Sequence, residues 1–221
     1  MTDHDVPSPV DFRQMEDAIA WESEAMDRPF RREFFDAFTH ELRKLRKPAP
    51  RVLELGSGPG FLALHLLRQL PQCELTLLDY SPAMHELAKR RLGELATGVR
   101  FEERDFKTDN WWSGLGSFDA VISIQAVHEL RHKRYASTLH EQVHALLHTD
   151  GLYMMCDHFY GEGGMENDQL YMSLTEQQES LENAGYFVTG GFIKAGRAFY
   201  SAVPVNTKKE ADWKETKKEP L

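Results

Sequence analysis

An α/β fold is predicted for this chain by three observations. After a prolyl break at Pro48-Ala49-Pro50, short apolar runs alternate with longer amphipathic stretches, as expected of a parallel sheet built from strand–helix–strand units. A glycine-rich turn follows the first of those runs. The last two runs are joined only by Lys194-Ala195-Gly196, a link short enough for an antiparallel hairpin.

Ahead of the break, Phe12, Met15 and Ile19, then Phe30, Phe34, Phe35, Phe38, Leu42 and Leu45, recur at three- and four-residue steps, which predicts two helices. Pro29 suits the first turn of the second helix and the Pro48–Pro50 triplet ends it. Strands are expected at 51–55, 74–79, 99–103, 118–123 and 152–157, with helices at 61–70, 82–96 and 134–147 and a helical turn near 110–115. A further helix at 175–184 has Thr175 to cap it, Gln178 at its third position and Gly185 to close it. Strands 186–193 and 197–203 form the hairpin. The organisation is therefore a helical cap at 1–50, a main domain at 51–204 and a charged, mobile tail at 205–221.

At 221 residues, the chain suits one domain with a sizeable core. No apolar run reaches the length of a bilayer span, and the acidic, proline-containing start lacks the features of a leader, so a cytoplasmic protein is expected. Cys73 and Cys156 stand alone in the sequence and read as buried thiols rather than a disulfide or a metal site. The net charge of −9 disfavours binding nucleic acid or an anionic membrane by charge alone, leaving a small-molecule or protein substrate.

The turn Glu54-Leu55-Gly56-Ser57-Gly58-Pro59-Gly60 lets backbone approach a ligand without Cβ clashes. Its Gly-x-Gly-x-Gly spacing displaces the third glycine of a dinucleotide turn, so a helix N-terminus meeting a pyrophosphate is not expected. Glu54, two residues ahead of Gly56, supplies a negative charge suited to a ligand ammonium. S-adenosylmethionine, with an ammonium and a sulfonium and no phosphate, meets that pattern. Asp79, at the end of the second strand, can accept both hydroxyls of a ribose.

Four segments together resemble the class I S-adenosylmethionine-dependent methyltransferase family, of its small-molecule type. They are Val52 to Gly60, then Leu78-Asp79-Tyr80-Ser81-Pro82-Ala83-Met84, then Arg104-Asp105-Phe106, then Phe118-Asp119-Ala120-Val121-Ile122-Ser123. The resemblance implies a three-layer, Rossmann-like, seven-stranded sheet, mostly parallel with an antiparallel last strand, and S-adenosylmethionine as cofactor with S-adenosylhomocysteine as product. It also implies that Gly56, Ser57, Gly58 and Gly60 hold the methionine portion, that Tyr80 flanks the adenine, that Asp105 and the Phe106 backbone read its edge, and that Gln125 offers backbone near the amine. Met84 reads as a core residue.

His128-Glu129-Leu130-Arg131-His132 matches H-E-x-x-H, the zinc-hydrolase pattern. Its place at the end of the fourth strand, with no third ligand following, argues for another use, and His140, His144 and His148 read as one polar stripe of a helix. No metal is expected. At that strand end His128 or Glu129 can take a proton from a hydroxyl or amine acceptor, the alternative being structural packing.

No Asp/Asn-Pro-Pro-Tyr, no Pro-Cys pair and no bracketing glutamates follow the fourth strand, which leaves small-molecule and some tRNA-modifying members as the versions resembled. A small-molecule acceptor is preferred on charge, with tRNA modification or a catalytically inactive S-adenosylmethionine-binding protein as alternatives. The stretch 157–175 is too short for a helical lid, so the cover over the acceptor is expected from the N-terminal helices, through Trp21, Met26, Phe30 and Arg31. His158, Phe159 and Tyr160 are expected on the opposite wall.

Overall fold

The computed structural model describes residues 4–26, 28 and 30–205; Pro29 and the tail 206–221 lie outside the described residues, as does the side chain of Met26. The chain runs α1 (Met15–Met26), α2 (Arg31–Lys44), β1 (Arg51–Leu55), α3 (Phe61–Gln69), β2 (Glu74–Asp79), α4 (Pro82–Leu92), β3 (Arg100–Glu103), β4 (Phe118–Ile124), α5 (Ala136–Leu146), β5 (Leu147–His158), α6 (Leu174–Asn183), β6 (Tyr186–Lys194) and β7 (Arg197–Pro204).

The seven strands form one sheet in the order β3-β2-β1-β4-β5-β7-β6. β1 to β5 are mutually parallel, and β7 runs antiparallel to both β5 and β6. Strand order reverses between β1 and β4, and ligands of open α/β sheets collect at the carboxyl ends beside such a reversal. Glu54, Asp79, Gln125 and His158 fall at or just past that edge because the parallel strands β1, β2, β4 and β5 all end there.

Two apolar cores hold the layers together. On one face Phe34, Phe38 and Leu42 of α2 and Leu62 and Leu66 of α3 pack on Val52, Met154 and Phe199. On the other, Leu139, Val143 and Leu146 of α5 and Leu181 of α6 pack on Leu53, Leu55, Val121, Tyr153 and Tyr186. Phe38 is fully buried, edge-on to Phe199 at 5.0 Å between centroids, so α2 belongs to the main core as well as covering the site. Cys73 and Cys156 are free and buried. No helix among the described residues is long and apolar enough to cross a membrane.

Element ends differ from the sequence expectations where local side chains decide them. The helix expected to reach residue 96 stops at Leu92, because Gly93 turns away at φ +56° and a 3-10 segment, Gly93–Gly98, continues the chain. Residues 110–115 form turns rather than helix, with Asn110 at φ +61°. Ser173, not Thr175, caps α6: its hydroxyl accepts from the Glu176 N–H at 3.2 Å while Glu176 accepts from the Ser173 N–H at 2.8 Å. β5 begins at Leu147, so His148 lies in the strand, and His140 is fully buried against the Tyr153 hydroxyl at 3.1 Å. The three histidines therefore form no polar stripe.

Candidate active site

The cavity over the carboxyl ends of β1, β2, β4 and β5 encloses about 390 Å³. Its wall includes Glu54, Gly56, Ser57, Gly58, Asp79, Tyr80, Asp105, Phe106, Gln125, His128, Glu129 and His158, together with Trp21, Arg28 and Arg31 from the N-terminal segment.

One end is built by the glycine turn. Gly56 has φ +61°, and a Cβ there would stand 2.4 Å from the Cβ of Ala126, so the turn closes only on glycine. Gly58 has φ +53° with nothing within 4 Å of a notional Cβ, which leaves its backbone bare toward the cavity. The Gly58 N–H donates to Asp79 Oδ2 at 2.8 Å and the Ser81 N–H to Asp79 Oδ1 at 2.9 Å, so the carboxylate that closes β2 also holds the turn after β1. Each oxygen keeps a lone pair for a hydroxyl.

Glu54 is buried, its Oε2 has no hydrogen-bond partner, and burial, with the neighbouring Asp79 adding to it, pushes its pKa up to about 8. Burial likewise lifts Asp79 to about 6, against the pull of its backbone donors. Arg31 is 7% exposed with Nε and Nη1 unpaired, its guanidinium against the rings of Phe61, Trp21 and Phe35 at 5.0, 5.5 and 5.8 Å. The Ser57 hydroxyl is also unpaired. Buried polar atoms without partners mark places where a ligand completes the bonding. An acid and a guanidinium acting on one another at one end of a cavity suit a ligand with both an ammonium and a carboxylate.

Gln125, at φ +54°, donates its N–H to the Cys156 carbonyl at 2.7 Å, so only its carbonyl remains for an ammonium, while its side chain meets His158 Nε2 at 2.9 Å. Farther along the wall, Asp105 Oδ1 accepts from the Lys107 N–H at 2.9 Å, and Tyr80 lies under Arg13 at 4.9 Å. Gly60 precedes α3 outside the cavity wall, where an added Cβ would stand 3.1 Å from the Ala88 Cβ.

On the same wall His128 stands between two carboxylates. Its Nδ1 meets Asp157 Oδ1 at 2.6 Å and its Nε2 meets Glu129 Oε1 at 3.2 Å, while Asp157 Oδ2 accepts from the His128 N–H at 3.0 Å. Burial opposes the charge on His128, but the two acids win and raise its pKa to about 10; the same pairing lowers Asp157 and Glu129 against their own burial. The His158 pKa falls to about 4, chiefly by burial.

The H-E-x-x-H residues do not share a helix face. Val127–Leu130 is a 3-10 turn ended by Arg131 at φ +67°, and His132 Nδ1 accepts from the Arg134 N–H at 3.2 Å. Among the described residues no group of three His, Cys, Asp or Glu side chains is placed to hold a metal ion.

Of the residues expected over the acceptor, Trp21, Arg31 and His158 line the cavity. Tyr160 does not: its N–H bonds the Met172 carbonyl at 2.8 Å and the residue is 39% exposed. Phe159 is buried in the packing and Phe30 lies under Arg197 at 4.4 Å. Asp157 and Arg28 were missed. Asp157 reads in the sequence only as the end of a strand at 152–157, which runs instead from Leu147 to His158, and its partner His128 lies 29 positions away, brought near by the pairing of β4 with β5.

Residues 52–151 match a family described as "Methyltransferase domain". Over that segment the chain is similar to methyltransferase domains, and its fold is Rossmann-like. It is 31% identical over 129 residues to the highly reducing polyketide synthase easB of Emericella nidulans, covering 55% of this chain and 5% of that one. It is 33% identical over 86 residues to a malonyl-[acyl-carrier protein] O-methyltransferase of Paenibacillus sp., covering 38% and 31%. The chain thus spans less than a third of the length of either relative. In fold it is similar to Streptomyces venezuelae DesVI, with a TM-score of 0.66, 14% identity and coverage of 87% of this chain and 99% of that one. The matched segment and the fold imply S-adenosylmethionine as the methyl donor, and the unpaired Glu54, Ser57 and Arg31 groups beside the bare backbone of Gly58 fit its amino-acid portion.

Proposed function

We propose that the chain transfers a methyl group from S-adenosylmethionine to an oxygen or nitrogen of a small-molecule acceptor. What carries this reading is that one cavity is lined by Glu54, Gly58 and Asp79 and also by His128 and Glu129, with Asp157 bonded to His128 from outside the wall.

When bound, the donor supplies a methyl carbon already activated by a sulfonium, so the protein's part is alignment and exclusion of water. Glu54 and the Gln125 carbonyl hold the ammonium, Arg31 the carboxylate, and Asp79 the ribose hydroxyls. Tyr80, Asp105 and Phe106 flank the adenine. Asp157, fixed by the His128 backbone, presents the imidazole so that Nε2 faces the cavity beside Glu129. His128 takes the acceptor's proton as methyl transfer proceeds, and Asp157 and Glu129 stabilise the imidazolium that results. Trp21 covers the acceptor. The Paenibacillus relative, by its name an O-methyltransferase, supports transfer to oxygen.

Calorimetry with S-adenosylhomocysteine, followed by transfer of labelled methyl into fractionated metabolites and tRNA, tests the reading. Binding is expected in the wild type and lost in Asp79→Ala without loss of the folded state. Unaltered binding in that variant would overturn the donor site, label in tRNA alone would overturn the small-molecule acceptor, and full turnover in both His128→Ala and Glu129→Ala would overturn the base.

A further inference from the structure

Three guanidinium groups, Arg28 and Arg31 on the cavity wall and Arg197 at the start of β7, act on one another and make no ion pair among the described residues. Arg31 is buried with Nε and Nη1 unpaired. Arg28 lines the same cavity and makes no ion pair among the described residues. Arg197 opens β7 directly opposite His158 of β5 in the strand register, with its Nε buried and unpaired. The charges oppose one another: Arg28 and Arg197 both make Arg31 harder to keep protonated, and Arg28 does the same to Arg197.

Nearby acids do not cancel this cluster. Glu54 acts on Arg31 from the donor end, and Asp157 is committed to His128. Glu129 is shared between His128 and Arg131 Nη1, at 3.2 and 3.4 Å. His158, held neutral by burial, adds no charge of either sign. Burying cations without partners is costly, and a bound anion offsets that cost where several converge. The carboxylate of a methionine-containing donor accounts for one guanidinium and leaves two. In a chain of net charge −9, so local a concentration of positive charge points to a ligand.

We propose that Arg28, Arg31 and Arg197 form an anion site beside His158, and that the methyl acceptor is itself an anion, carrying a carboxylate or a phosphate near the atom that is methylated. This rests on the cavity being a methyl-transfer site and names the class of molecule that enters it. Arg28 and Arg197 grip the anionic group and so aim the acceptor's hydroxyl or amine at His128; a neutral analogue of equal shape leaves both unpaired and binds poorly.

The test compares thermal unfolding in sodium acetate, sodium phosphate and sodium chloride at equal ionic strength, for the wild type, Arg28→Gln and Arg28→Gln/Arg197→Gln, each with and without S-adenosylhomocysteine. Acetate or phosphate is expected to raise the wild-type midpoint by about 2–4 °C over chloride with S-adenosylhomocysteine present, and the double variant is expected to lose that rise. The anion giving the larger shift identifies the acceptor's group. No rise in the wild type, or an equal rise in the double variant, overturns the anion site. Calorimetric binding of S-adenosylhomocysteine is the separate check on the donor site: if it fails, the methyl-transfer reading falls while the ligand-free salt comparison still decides the anion site.

Discussion

At the scale of single residues, Glu54 is the group whose charge depends most on a ligand. With a pKa near 8 it holds its proton at pH 7 in the free chain, and an ammonium brought beside it favours the ionised form. Binding of S-adenosylhomocysteine at pH 7 should therefore release close to one proton, seen as a difference between calorimetric enthalpies in buffers of unlike ionisation heat. Glu54→Gln should abolish that difference, and a buffer-independent enthalpy in the wild type would contradict the assignment. The folded chain binds this proton more tightly than the unfolded one, so Glu54 costs stability progressively as pH rises from about 4.5 to about 8. Two glycines of one turn should separate cleanly. Gly58→Ala places a methyl where nothing stands within 4 Å, so beyond backbone strain of about 1 kcal/mol its main effect should be weaker donor binding, at least about tenfold. Gly56→Ala drives its methyl into Ala126 and should fail to give a folded chain. These residues were legible in the sequence because they lie within one short motif, whose spacing carries its own geometry. Asp157, Arg28 and Arg197 were not, because their meaning comes from partners on other strands and helices.

At the scale of elements, β4 and β5 matter most because their ends set His128 against Asp157. The two signs of shift define a window. His128, raised to about 10, stabilises the fold fully below its unfolded value near 6.5 and loses that contribution as pH climbs through about 10. Asp157 and Glu129, both lowered, contribute above the ordinary carboxylate range and lose it as pH falls through their lowered values. Methyl transfer needs His128 unprotonated, so kcat/KM should rise from pH 7 toward about 10. Asp157→Asn removes the acid that raises His128 most, so it should move that rise to lower pH while lowering kcat; an unmoved profile would rule out His128 as the titrating base. Helix and strand types were readable here from period and breaker residues, whereas ends were not. The α6 cap shows why: Thr175 with Gln178 and Ser173 with Glu176 have the same spacing, and the reciprocal bonds form at Ser173 while the Gln178 side chain donates to Glu182 instead. Ser173→Ala should lower the unfolding free energy by about 1 kcal/mol in denaturant titration.

At the scale of the whole molecule, the segment ahead of α1 is fastened across the cavity rather than left beside it. Ser8, Val10, Asp11 and Phe12 line the cavity, with Phe12 edge-on to Trp21 at 5.9 Å. Its anchors sit at distant points of the domain. The Val6 N–H donates to the Arg131 carbonyl at 2.8 Å, and the Arg131 side chain donates back through Nε to the Val6 carbonyl at 2.9 Å and through Nη2 to the Pro7 carbonyl at 2.7 Å; the Ser81 hydroxyl donates to the Phe12 carbonyl. Behind it, Arg91 Nη2 meets Glu22 at 2.6 Å and ties α1 to α4. A ligand entering from that side has to lift this strap, and the strap rests on a few part-buried polar bonds outside the two large apolar cores, so it can open locally without unfolding them. Arg131→Ala removes two side-chain bonds to the strap and leaves both apolar cores intact. It should raise amide exchange across residues 5–12 and speed release of S-adenosylhomocysteine by roughly 5- to 30-fold, the rate equivalent of about 1–2 kcal/mol, with little change in the unfolding midpoint. Release as slow as wild type, measured by stopped-flow fluorescence of Trp21 at the cavity wall, would show that ligands pass elsewhere.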